Sequence, residues 1–197
     1  PEANTVHEIG DTLSKNIHFD AFQHACQNIY DEKLELDPFP CLFIKNLFPS
    51  SYYKLMLDHF PQPQSMQSLG STGRVSNGAY SNRHVVLFNN EHFSRLNPED
   101  RMFWSDFNGM FSSRFFTDLI LSKFFSWVEP RLTSNQSNII NLQSDSLLVR
   151  DFENYKIGPH TDAPHRLLSL LFYMPDDDAM INYGTSLYKH VRDEECP

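Results

Sequence analysis

The chain has few cysteines and few positive charges. Its three cysteines, Cys26, Cys41 and Cys196, form no C-x-x-C pair, so the sequence indicates neither a disulfide framework nor a structural zinc site. Only 16 basic residues stand against 25 acidic ones, which leaves a net charge of −9, whereas nucleic acids and anionic membranes attract fields of lysine and arginine. We therefore expect a small-molecule or protein substrate, with no nucleic acid or membrane partner.

Long apolar runs are also absent. No 18 consecutive apolar residues occur, and the first residues lack the basic and apolar regions of a signal peptide, so we expect a cytoplasmic protein. Apolar residues still make up 40% of the chain and include 17 phenylalanines, which is enough for the core of a single domain spanning 1–197. Because the sequence begins with Pro1 and stops abruptly at Pro197, we expect that parts of the intact protein are missing.

Helical periodicity dominates the first part of the chain. The segment 21–34, AFQHACQNIYDEKL, is amphipathic, and Asp20 stands where a helix N-cap is expected. The pair His18-Phe-Asp20 is therefore interpreted as part of a cap and not as a metal site. The pattern then predicts a short strand at 41–44 and a second helix at 51–60.

A long polar segment, 61–83, separates these elements from a strand predicted at 84–88. Its composition is typical of a disordered segment or of a lid over a binding site. Asn97 then begins a helix that extends to about Val128, with a break near Ser112-Ser113 and an end at Pro130. Its many aromatic residues predict a face that packs on a sheet.

Beyond residue 139 the apolar spacing changes from helical to strand-like. Four or five short strands follow a helical part that covers about 1–130, and this order predicts an α+β protein whose segment 139–197 forms an antiparallel sheet or barrel. The candidate strands read IINLQ, SLLVRDF, YKIGPHTD, LLSLLFYMP and GTSLYKH.

His160 and Asp162 end the third candidate strand. Residues at i and i+2 of a strand point to the same face, so the imidazole and the carboxylate are expected to share one side. With a second histidine they would form the two-His, one-carboxylate set that binds Fe(II) and leaves coordination positions open. The alternative is a hydrogen-bonded histidine beside an acid in a turn.

The sequence around this pair resembles a known superfamily. The string from Tyr155 to Tyr188, YKIGPHTDAPHRLLSLLFYMPDDDAMINYGTSLY, resembles the core of the Fe(II)- and 2-oxoglutarate-dependent oxygenases, close to their prolyl-hydroxylase-like branch. The resemblance is strong over about 145–190 and weaker upstream. It implies a double-stranded β-helix, the jelly roll that cupins also use, with N-terminal helices supporting it. It also implies Fe(II) as cofactor and 2-oxoglutarate as co-substrate.

Individual residues match the pattern of this superfamily. His160 and Asp162 match the first two iron ligands, and Tyr173 matches the tyrosine that reaches the distal carboxylate of 2-oxoglutarate. Ser169 and Leu171 share the face of Tyr173 by strand alternation and are expected to line the same pocket. The alternative for Tyr173 is an ordinary aromatic residue of an amphipathic strand.

Arg150 is a further candidate, as a cation close to the co-substrate. Its alternative role is an ion pair with Asp151 or Glu153.

The chain departs from the pattern of the superfamily after Asp162. The pattern requires a distal histidine and then an arginine or lysine that anchors 2-oxoglutarate, yet only His190 follows His165. We expect the remaining strands to belong to the intact protein, since half a β-helix would expose its edges; the alternative is a degenerate relative that folds differently. Two other functions stay open: a non-catalytic jelly-roll module that binds or regulates, and a cupin-like metal enzyme that does not use 2-oxoglutarate.

Overall fold

The computed structural model describes residues 2–76, 79–88, 91–133, 142–177, 179–180 and 184–189, with side chains from residue 17 onward. In chain order the elements are α1 (Glu2–Asp31), α2 (Ser50–Asp58), β1 (Gln67–Ser68), β2 (Arg83–Leu87), α3 (Glu91–Ser94), α4 (Pro98–Phe111), α5 (Arg114–Lys123), α6 (Phe125–Thr133) and β3 (Leu147–Asp151). Helices combined with a small antiparallel sheet confirm the predicted α+β class.

The sheet has β2 at its centre, antiparallel to β1 on one side and to β3 on the other. Val85 and Val86 of β2 are completely buried. Val86 pairs with Leu148 of β3, and both belong to the core that the helices form. Because side chains alternate along a strand, the neighbouring pair of His84 and Arg150 lies on this same helix-facing side.

Aromatic residues of α4 and α5, with Phe124 between α5 and α6, form much of the core. Those of α4 pack with α1, α2 and the sheet, as predicted, whereas Phe116 and Phe124 pack with α1 in a second cluster. The buried members are Phe103, Trp104, Phe107, Phe116 and Phe124. Phe115 and Phe125 lie on the opposite face of their helices and are 64% and 54% exposed.

The predicted start and break of the helical segment are confirmed. Asn97 caps α4, because its side-chain oxygen accepts the Asp100 backbone N–H at 2.8 Å. Ser113 interrupts the segment and caps α5 in the same way, accepting the N–H of Phe116. The predicted end is wrong, since Pro130 lies inside α6. Leu132 packs against the second core cluster and holds the last turn of α6 in place.

The predicted cap at Asp20 is wrong. Asp20 lies well inside α1, which extends far upstream of it. His18, two residues before the predicted start, is 2% exposed, and its Nδ1 lies 2.6 Å from the Tyr52 hydroxyl. The argument from the cap against a metal site at His18-Phe-Asp20 therefore falls. In the structure His18 instead bonds Tyr52 in the core, whereas Asp20 is exposed.

The segment 41–44 is not a strand. Cys41 makes one isolated bridge with Glu35, and Phe43 is 62% exposed. Within 61–83, by contrast, there is more order than the composition indicates. Met66 and Gly70 are buried, and two 3-10 turns flank β1.

Of the five strands predicted after residue 139, SLLVRDF forms one, as β3. The described parts of the next three segments, 155–162, 167–175 and 184–189, lie outside helices and strands and belong to no sheet. The first segment, IINLQ, lies largely outside the described residues. Within 167–175, four apolar side chains pack against the two core clusters without strand pairing, namely Leu167, Leu168, Phe172 and Met174, whereas Leu170 and Leu171 are exposed.

Candidate functional site

His160 and Asp162 lie on an exposed stretch of chain that leads into a turn. The turn is closed by a hydrogen bond from the Arg166 backbone N–H to the Ala163 carbonyl at 2.9 Å. Solvent therefore reaches both candidate ligands in the described structure.

The imidazole of His160 is oriented by its own backbone. Its Nδ1 lies 2.8 Å from the carbonyl oxygen of Gly158. A carbonyl oxygen can only accept a hydrogen bond, so Nδ1 carries the proton and Nε2 presents its lone pair. Histidines that bind metals commonly use this arrangement, in which one ring nitrogen donates to a backbone carbonyl and the other coordinates.

The carboxylate of Asp162 is held by the next segment of chain. The Ser169 hydroxyl donates a hydrogen bond to Asp162 Oδ2. This bond joins the chain before the turn to the chain after it, and a single bond uses only part of the acceptor capacity of a carboxylate. Asp162 and Ser169, both named from the sequence, are therefore in direct contact.

Segment 167–175 has two faces. Phe172 and Met174 pack against the helical core. Ser169, Leu171 and Tyr173 alternate with them and are exposed, Leu171 by 63% and Tyr173 by 51%. The three residues proposed from strand alternation to share a side are thus all exposed, and so is Leu170, which strict alternation would place inward.

Two side chains from the helical layer tie the ends of this segment. Arg131 of α6 donates to the Leu167 carbonyl at 3.1 Å, and the Tyr53 hydroxyl of α2 donates to the Pro175 carbonyl at 2.5 Å. The hydroxyl of Tyr173 is hydrogen-bonded to that of Thr185. The segments that contain His160, Tyr173 and Thr185 are thereby linked one to the next.

Arg150 does not join this group. It lies on the helix-facing side of β3, where its guanidinium carbon is 4.9 Å from the centre of the Phe60 ring and its Nη2 donates to the Pro61 carbonyl at 3.4 Å. Its Nε is buried without a hydrogen-bond partner, as is Nδ1 of His84, the residue opposite it on β2. Asp151, its alternative partner, is bound by another arginine.

That arginine is Arg83, which sequence reasoning missed. Its Nε and Nη2 donate to the two carboxylate oxygens of Asp151 at 2.6 and 2.7 Å, and its guanidinium lies 4.1 Å over the ring of Tyr155. Burial acts to lower the pKa of Arg83, but the hydrogen bonds and charge of Asp151, together with Tyr155 and Tyr173, raise it overall. Arg83 therefore lies close enough to Tyr173 to interact with it electrostatically. The pairing of β2 with β3 brings it there, and periodicity alone does not reveal that pairing.

A third ligand does not emerge from the described residues. His190 lies outside them, and His165 is exposed within the turn. Across the part of the chain that the structure describes, no group of three or more His, Cys, Asp and Glu side chains is arranged to hold a metal ion. His160 and Asp162 thus have no third candidate ligand arranged with them among the described residues.

No protein-family model, curated protein or solved structure matches this chain. Among the described helices, none has both the length and the apolar character needed to cross a membrane.

Proposed function

We propose that this protein is an Fe(II)- and 2-oxoglutarate-dependent oxygenase with a double-stranded β-helix core, and that His160 and Asp162 are two of its iron ligands. The proposed reaction converts a C–H bond, 2-oxoglutarate and O2 into a hydroxylated substrate, succinate and CO2. One observation carries the proposal more than any other: His160 donates from Nδ1 to the Gly158 carbonyl and so presents Nε2 for coordination.

The chemistry of the two side chains fits Fe(II). A neutral imidazole and an ionised carboxylate are the donor types of non-haem iron sites that leave positions open for co-substrate and oxygen. Asp162 is oriented by the Ser169 hydroxyl, which corresponds to the hydrogen-bonded carboxylates found at metal sites. Bound iron would supply the oxidising chemistry, and the two side chains would hold and orient it.

The co-substrate side of the proposed site is the outward face of 167–175. The Tyr173 hydroxyl can donate a hydrogen bond to a carboxylate, and Ser169 and Leu171 flank it on the same face. Arg150 gains no support for its proposed role, because its guanidinium packs on Phe60 at the helical side. The carboxylate interaction is therefore assigned to Tyr173.

The test is an anaerobic titration of the protein with Fe(II) and 2-oxoglutarate, followed by visible absorption. Chelation of iron by 2-oxoglutarate at a protein site gives a metal-to-ligand charge-transfer band, which we expect for the wild-type chain. His160→Ala should abolish the band. His24→Ala removes an exposed imidazole from α1 and should leave the band unchanged.

The other outcomes identify the alternatives. Iron that binds without a charge-transfer band would indicate a cupin-like metal site that does not take 2-oxoglutarate. A chain that binds no iron would indicate a non-catalytic binding or regulatory module. A band that persists in His160→Ala would contradict the ligand assignment.

A further inference from the structure

Arg131 makes three hydrogen bonds to the turn that follows His160 and Asp162. Its Nη2 donates to the carbonyl oxygens of Pro164 and Arg166 at 2.9 and 2.8 Å, and its Nη1 donates to that of Leu167 at 3.1 Å. Three backbone acceptors within four residues thus converge on one guanidinium.

This guanidinium connects two parts of the chain that sequence places far apart. Arg131 lies in the last turn of α6, and the turn it binds begins at Ala163, one residue after Asp162. The bonds leave α6 altogether, so they do not cap that helix. Val128 and Leu132 anchor α6 in the second core cluster, which makes the base of Arg131 a fixed point.

The turn 163–167 joins the segment of His160 and Asp162 to that of Ser169, whose hydroxyl reaches back across it to bond Asp162. It has one internal backbone bond, from Arg166 to Ala163. The side chains of 163–166 are exposed, and only Leu167, at the end of the turn, packs against the second core cluster, so most of the turn has little packing of its own. A rigid guanidinium fork that binds three carbonyls restricts such a turn more than a flexible lysine could.

We propose that Arg131 is a positioning residue of the metal site: by clamping the turn 163–167, it keeps Asp162 within reach of Ser169 and holds His160 and Asp162 in one orientation. This inference rests on the proposed function for its metal readout. It does not follow from the sequence motif, which contains no part of α6.

Loss of the positive charge of Arg131 and loss of its three hydrogen bonds to the turn should change the Fe(II) affinity in opposite directions. Losing a positive charge close to a cation site should tighten Fe(II) binding, since like charges repel. Losing the clamp should weaken it. Removing groups that orient metal ligands typically costs about 10–100-fold in metal affinity, and we expect about 10-fold for Arg131→Gln because it acts through the turn.

The experiment compares wild type, Arg131→Gln and Arg114→Gln by anaerobic competition for Fe(II) against a chromogenic chelator. Arg114 is the matched control, because it is an exposed arginine on α5 that pairs with Asp118 four residues away and does not contact the turn. Amide hydrogen exchange of residues 163–169 is recorded on the metal-free proteins. We expect faster exchange there and weaker Fe(II) binding in Arg131→Gln only.

Each other result counts against the inference in a distinguishable way. Equal or tighter Fe(II) binding by Arg131→Gln, with wild type binding normally, would overturn the positioning role and leave the proposed function intact. Unchanged exchange at 163–169 would overturn the clamp. A wild-type chain that binds no Fe(II) would overturn the proposed function and the metal role of Arg131 together.

Discussion

Replacing Phe172 by alanine tests how the segment beyond the candidate ligands is held. Phe172 packs against both core clusters, and its ring centre lies 5.8 Å from Phe48, 5.8 Å from Phe107 and 5.5 Å from Phe111. Truncating a phenylalanine in a core costs about 3–5 kcal/mol, and we expect about 3 kcal/mol here because Phe172 is only partly buried. The free energy of unfolding should fall by this amount in urea denaturation.

The neighbouring residue supplies the control for this prediction. Leu171 is 63% exposed on the opposite face of the same segment, so Leu171→Ala should change the free energy of unfolding by no more than about 0.5 kcal/mol. If both variants lost the same stability, or if Phe172→Ala lost none, segment 167–175 would not be docked on the helices through Phe172.

Two further predictions concern the helical part. Asn97→Ala removes the cap of α4 and should cost about 1 kcal/mol, which for a chain of this size lowers Tm by about 2–4 °C; an unchanged Tm in thermal unfolding would contradict the cap. Burial lowers the pKa of His18 below its ordinary 6.5, helped by His59 and opposed by Asp106. The unfolded state therefore takes up the extra proton as pH falls below about 6.5, and the free energy of unfolding should decrease by up to about 1.4 kcal/mol per pH unit. His18→Gln should flatten this dependence in urea denaturation at pH 5.5 and 7.5, and an equally steep dependence in that variant would show that other groups cause it.

Local signals predict the helical part well. At the cap of Asn97 and the break at Ser113, a side chain bonds to a backbone atom three residues away. The residues next to each position are therefore enough to predict the helix boundary. At the end of α6 Leu132 contacts a distant cluster, and upstream of Asp20 in α1 His18 reaches Tyr52. Contacts of that range are not visible in periodicity.

The C-terminal segments show the limit of a period of two. Ser169 and Tyr173 are exposed and Phe172 packs on the core, but Leu170, which alternation would place with Phe172, is exposed too. Alternation also does not say whether the surface under Phe172 is a sheet or a pair of helices. The positions of Arg83 and Arg131 are invisible for a related reason, since strand pairing and a contact between distant segments bring them there.

The most direct test of the central claim is calorimetric titration of 2-oxoglutarate under anaerobic conditions, with and without Fe(II), into wild type and His160→Ala. If His160 and Asp162 hold the iron that receives the co-substrate, 2-oxoglutarate will bind to wild type only when Fe(II) is present and will not bind to His160→Ala at all. Binding that is equally tight without metal, or that survives in His160→Ala, would contradict the account.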